Sequence, residues 1–195
     1  MTAVFNLNTD ERALLLRIAR ESIIHGLAKR PIEKILNLPE KLDAPCGAFV
    51  TLHRGGKLRG CIGRVKAAGQ LAYTIQDMAR AAAFSDPRFP PVAVAEMPEI
   101  ELEISVLSPF EIIPAAEALG RIQIGTHGLY ITAHGRTGLL LPQVASEWNW
   151  TVEEFLANTC GKAGLPADTW RQPGTQIELF SAEVFNERDV QVRLP

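Results

Sequence analysis

The 195-residue chain is short of cysteine, of net charge and of long apolar runs, and each shortage closes off a class of protein. Its three cysteines, Cys46, Cys61 and Cys160, are odd in number, and no two are spaced C-x-x-C. That excludes a disulfide scaffold and points to a reduced, cytoplasmic setting. Lysine and arginine total 20 against 22 acidic residues, a net charge of −2, which argues against wholesale attraction to nucleic acid or membrane. No stretch approaches the roughly 18 uninterrupted apolar residues of a membrane span. Residues 1–7 have neither a basic nor an apolar leader region, so no secretory signal is expected there. Neither a Walker A lysine spacing nor G-x-G-x-x-G occurs. What is there is ordinary globular composition, 47% hydrophobic and 22% charged, enough for one domain or two small subdomains around a common core.

Asn8 and Glu11 have capping-box spacing and predict a helix to about Gly26, with Leu14, Leu15, Ile18 and Ala19 inward. Pro31, Pro39 and Pro45 break the chain into loops or a short helix. Residues 47–63 read as a β-hairpin turning at Gly55-Gly56. Residues 70–84 read as a helix with Leu71, Ile75, Met78 and Ala82 inward and Gln70, Thr74 and Asp77 outward. Prolines at 87, 90 and 91 end it. Ile100, Leu102, Ile104 and Val106 alternate with Glu101, Glu103 and Ser105, a half-buried strand with an acidic outer face. A second hairpin covers residues 129–141. Thr151 and Glu154 predict another capped helix, with Trp150 and Phe155 at staple spacing, ending at Gly164. Residues 176–184 read as one last strand.

Gly47 to His53 echoes Gly128 to His134, and in both places a turn, a second strand, a helix and an Ile-Glu-Leu strand follow. The expected fold is α+β: a duplicated β-hairpin–helix–strand unit, repeats roughly 47–107 and 128–185, forming two unequal subdomains around a shared sheet and core. In that overlay Leu58-Arg59-Gly60-Cys61 falls on Leu139-Leu140-Leu141-Pro142. Bulk replaces glycine and thiol, which singles out the first hairpin as the functional one.

Leu58-Arg59-Gly60-Cys61-Ile62-Gly63 resembles the signature of the AMMECR domain family, named for a human chromosomal region linked to Alport syndrome, midface hypoplasia and elliptocytosis. The resemblance extends through Asp86-Pro87-Arg88-Phe89-Pro90-Pro91, Glu103 to Pro109, Gly138 to Val144 and Phe155 to Cys160, so it treats residues 1–195 as a single such domain. It implies an α+β fold of two unequal subdomains. It implies no settled activity and no known cofactor. Its microbial members are often encoded beside a Memo-like protein and a radical-SAM protein, which are the partners the resemblance suggests.

Two kinds of chemistry suit the first hairpin. Cys61, between Arg59 and Arg64, is a candidate catalytic nucleophile, since nearby cations favour a thiolate. With a two-residue turn, Cys61 opposes Val50 and shares a face with Leu52 and Arg59, while His53 lies on the reverse face with Thr51 and Phe49. A one-residue bulge reverses that assignment. On the regular register a base comes instead from His127, His134 or Glu147. The alternative is anion binding. Arg54, Lys57, Arg59, Arg64 and Lys66 occur between Asp43 and Asp77 with no acidic residue among them, and with several glycines they offer guanidinium forks and backbone N–H groups. Gly60-Cys61-Ile62-Gly63 also fits G-x-x-G, but on a strand rather than between helices. The cysteines and histidines show no metal-ligand spacing. Asp86 and Arg88, in the proline-rich loop, and Glu147 are further pocket candidates; Trp148 and Trp150 read as core and staple residues. Three functions stay open: a binding component with a ligand at Arg59, Gly60, Cys61, Ile62, Gly63 and Arg64; an enzyme using Cys61; and an interaction scaffold.

Overall fold

The computed structural model describes residues 6–31, 34–35, 38–66 and 69–190, so most of the stretch read for a leader lies outside the described residues. Helix α1 (Thr9–Leu27) starts at the anticipated cap: the Glu11 N–H donates to Asn8 Oδ1 at 2.9 Å, and the Asn8 N–H donates to Glu11 Oε2 at 2.7 Å. Both donors belong to the set a helix start leaves unpaired. A single turn, α2 (Glu40–Asp43), follows among the prolines. Strands β1 (Ala48–Arg54) and β2 (Lys57–Arg64) close the first hairpin. Gly55 and Gly56 both hold positive φ, 57° and 74°, as a type I′ turn requires. Then come α3 (Leu71–Phe84), a 3-10 turn (Val94–Glu99) and β3 (Ile100–Leu107).

The second half runs β4 (Glu111–Ile113), α4 (Ala118–Arg121), β5 (Gly128–Ala133), β6 (Arg136–Leu140), α5 (Pro142–Glu147), α6 (Val152–Lys162), β7 (Gln176–Phe180), β8 (Ala182–Asn186) and α7 (Glu187–Val190). Helix α6 has the anticipated Thr151–Glu154 box. No helix among the described residues is long and apolar enough to cross a membrane.

The fold is α+β, but the sheet and core are not shared. There are two four-stranded sheets, ordered β2-β1-β3-β8 and β4-β7-β5-β6. The chain divides into two compact units, one reaching Leu107 and resuming at Glu183, the other Ser108–Ala182. Each closes its own core. In the first, Ala48, Val50, Leu52, Leu102 and Ile104 lie under Leu15, Ile75 and Ala79 of the two long helices. In the second, Leu129, Ile131 and Ile177 pack with Phe155 and Leu156 of α6. Each sheet finds helices nearby in its own sequence to cover its apolar face, so neither needs the other's. Thr74 is buried rather than outward, because α3 packs against α1 as well as against β1 and β2.

The stretch 176–184 is two strands in different sheets, not one. It breaks at Ser181, whose carbonyl accepts from the Ser108 N–H and whose N–H donates to Ser108 Oγ, both at 2.9 Å. Topology repeats between the sheets: β5 pairs with β6 and β7 as β1 pairs with β2 and β3. The anticipated overlay does not. Leu52 lies between Gly60 and Leu102, and Ile131 between Gly138 and Ile177, which sets Gly60 against Gly138 and Cys61 against Leu139. The two glycines have one cause. A Cβ on Gly60 would sit 2.3 Å from the Ala82 carbonyl oxygen of α3, and one on Gly138 2.4 Å from that of Thr159 in α6. Duplication thus stays a reading of the sequence.

Candidate functional site

The first hairpin is not regular. Leu52 pairs with Gly60 but His53 pairs with Leu58, so Arg59 is an extra residue, a β-bulge. The bulge reverses the faces expected from an unbroken register. Cys61 opposes Thr51, not Val50, and shares its face with Thr51, Phe49 and His53. Val50 and Leu52 are fully buried on the other side. The bulge also re-aims Arg59, so sulfur and guanidinium do not project as alternate residues of one strand face.

Strand β2 is an edge strand, and its outer rim at Cys61 is closed by side chains instead of another strand. The Cys61 N–H donates to Asp86 Oδ2 at 2.8 Å, and Arg88 Nη2 donates to the Cys61 carbonyl at 3.1 Å. Arg88 also grips Asp86 directly, through Nε at 2.9 Å and Nη2 at 2.7 Å. This clasp uses the one N–H and one C=O that an edge residue leaves unpaired. Asp86 is 4% exposed. The Arg88 guanidinium, with the Cys61 and Arg88 N–H groups, holds its carboxyl far below the usual carboxylate range, against the opposing effect of burial. Because the Cys61 backbone bonds point outward, Cys61 and Thr51 form a non-hydrogen-bonded pair, in which side chains approach most closely. The Thr51 hydroxyl donates to Cys61 Sγ at 3.2 Å.

The cations of the hairpin are largely spoken for. Arg59 Nε and Nη2 donate to the two oxygens of Glu96 at 2.9 and 3.1 Å. Arg54 donates to Glu96 at 3.1 Å and to Glu99 at 2.8 Å. Arg59, with the Ala93 N–H, lowers the Glu96 carboxyl to about 2. The Phe89 ring lies within cation–π reach of both Arg59 (5.9 Å) and Arg88 (5.5 Å). Acidic residues outside the basic stretch, at 96 and 99, therefore neutralise two of its guanidiniums, while Asp86 pairs with Arg88 beyond it.

Across the first sheet, Cys61, Thr51 and Glu103 occupy one register row, with His53 and Glu101 in the next. Opposed residues share a face, so a partly exposed thiol, a hydroxyl and a carboxylate stand side by side on the side of the sheet away from its core. Such a row offers a soft nucleophile, a donor and an acceptor at strand spacing. Among the described residues no group of three or more His, Cys, Asp or Glu side chains is placed to hold a metal ion.

The sequence model of the AMMECR1 family matches residues 16–185 of the chain. The chain belongs to the AMMECR1 family. A protein of Methanothermobacter thermautotrophicus is 42% identical over 185 residues, 93% of this chain and 96% of that one. One from Pyrococcus furiosus is 43% identical over 192 residues, covering 94% and 91%. The crystal structure of an uncharacterised protein from Pyrococcus horikoshii superposes with a TM-score of 0.82 at 42% identity, covering 89% of this chain and 90% of that chain.

Within this AMMECR1 chain the remaining candidates separate by role. Gly60 admits the α3 backbone, and Gly63 lies under the Phe49 ring, 2.1 Å from where its Cβ would be. Ile62 packs against the first core. These three shape the motif, and what their glycines admit is protein. Arg64 ends β2 half-buried, without an ion-pair partner among the described residues. Glu147 is exposed at the end of α5, in the other unit. His127 Nδ1 accepts from the Gln123 N–H at 3.1 Å, and His134 occupies the β5–β6 turn at φ 51°. Trp148 is not core: it is 68% exposed and stacked on Trp150. Cys46 and Cys160 are both buried, and burial pushes the Cys46 thiol up to about 12. Sequence reasoning missed Thr51 and Glu96. Thr51 had a signal in the alternation of β1; Glu96, distant in sequence, had none.

Proposed function

We propose that this AMMECR1 protein is a small-molecule-binding component of a cytoplasmic multi-protein pathway, and that the ligand contacts Cys61 on the outer face of the first sheet. The observation that supports this is the clasp. Buried Asp86 and the more exposed Arg88 fix the Cys61 backbone and so hold a partly exposed thiol against Thr51. A preorganised polar row on a rigid sheet suits recognition of a ligand with both a polar and an electrophilic or soft group. The Memo-like and radical-SAM proteins of the family resemblance are the partners to test first.

The experiment is a thermal-shift panel of small carboxylates, phosphates and aldehydes. At least one compound raises the midpoint in proportion to its occupancy of the native state, and Cys61→Ala and Thr51→Val abolish the shift. A shift that survives both substitutions, or no shift with any compound, refutes the reading.

One observation favours a second reading, an enzyme with Cys61 as nucleophile. The bulge brings His53 onto the same face as Cys61, where the regular register separated them. On this reading the alkylation rate of Cys61 drops in His53→Gln. A rate that His53→Gln leaves unchanged rejects it.

A further inference from the structure

On the helical side of the first unit, away from the Cys61 face, α1 and α3 enclose a cleft of about 230 Å³. Its α1 wall repeats at helical spacing, from Leu14 through Arg17, Ile18 and Glu21 to Ser22 and His25. Gln76 and Arg80 of α3 face them, and Lys34 and Ile35 complete the rim. Among the described residues, Arg17, Lys34 and Arg80 line it against one carboxylate, Glu21.

The arginines of the cleft differ from most others of this unit, Arg64 apart, in their partners. Elsewhere in this unit Arg12 pairs with Glu183, Arg20 with Glu187, Arg54 and Arg59 with Glu96, and Arg88 with Asp86. Arg17 and Arg80 have no carboxylate partner among the described residues. Arg80 is nevertheless held in place: its Nη1 donates to the Ser22 carbonyl at 3.4 Å. Ser22 in turn donates to the Gln76 carbonyl at 2.8 Å, locking the two helices at the cleft floor. A guanidinium fixed by a neutral acceptor, in a cleft that Arg17 also lines, keeps its charge available to a ligand. Guanidinium forks match the oxygen spacing of phosphate and carboxylate. The volume is below the roughly 300–1,000 Å³ of pockets for drug-sized ligands, so the occupant is small.

We infer that the α1–α3 cleft binds a small, multiply charged oxyanion, a phosphate or polycarboxylate group, through Arg17 and Arg80. Its position on the opposite side of the sheet makes it independent of the Cys61 site.

The test is isothermal titration calorimetry at low salt with two probes, inorganic phosphate and citrate. At least one binds at a single saturable site with millimolar or tighter affinity, and added sodium chloride weakens it. Arg17→Gln and Arg80→Gln each weaken binding by about tenfold or more. Glu21→Gln strengthens it, because a like charge leaves the site. Cys61→Ala leaves it unchanged. Arg17 is exposed, so its substitution keeps the test valid should Arg80→Gln perturb folding. Binding that is equal in Arg17→Gln and wild type overturns the inference, as does no binding of either anion up to about 10 mM.

Discussion

Asp86 is the residue on which the motif's geometry turns. It accepts from the Cys61 N–H, the Arg88 N–H and the Arg88 guanidinium while nearly sealed from solvent. Asp86→Ala leaves a buried N–H and a cation without their acceptor, and should cost about 2–3 kcal/mol in urea unfolding. Acid should act on the same contacts. Asp86 and Glu96 are both more acidic folded than unfolded. Their contribution is therefore complete above the unfolded values and is lost as pH falls through the folded ones; for Glu96 that window runs from 4.5 down to about 2. Stability should decline over that range, and Glu96→Gln should flatten the decline. In the sequence, Asp86 and Arg88 were visible as a pair two residues apart. Their hold on Cys61, 25 residues earlier, was not, because it depends on where the proline-rich loop returns along an edge strand.

Helices α1 and α6 were readable to their caps, since a capping box is a local bargain between residues three apart. Asn8→Ala should cost about 1 kcal/mol. Strand β2 was readable as a strand but not in its register. The hairpin turn fixed the pairing only as far as His53 with Leu58, and the bulge at Arg59 then shifted every later residue to the other face. Gly60 was the one sign of it, since glycine within a strand marks a bulge or a close backbone approach. Here both hold. Gly60→Ala should lower stability by about 1–3 kcal/mol, because the obstacle is helical backbone and cannot swing aside. Gly138→Ala should behave alike through α6. A Gly60→Ala protein with an unchanged thermal midpoint would show that α3 does not approach β2 so closely.

Taken over the full chain, the order of hairpins, helices and strands sufficed for the α+β class, while the division into two sheets with separate cores did not show. The reason lies in residues 181–190. The pattern of residues 181–184 continues the preceding strand, yet β8 joins the first sheet, where Glu183 pairs with Arg12, and Glu187 just after it pairs with the buried Arg20. Arg20 Nε and Nη2 reach Glu187 at 2.6 and 2.5 Å, and the Leu102 N–H donates to the same carboxylate at 2.9 Å. Glu187→Ala strands a buried guanidinium and should destabilise the protein by about 3–5 kcal/mol in denaturant. The three cysteines report on the whole arrangement at once. Native protein is treated with iodoacetamide and labelling is followed with time at each thiol by peptide mass spectrometry. Cys61 should react while Cys46 and Cys160 stay protected until unfolding, and Asp86→Ala should change the Cys61 rate alone. A Cys61 as inert as the two buried thiols would contradict a ligand-facing role for that side of the first sheet.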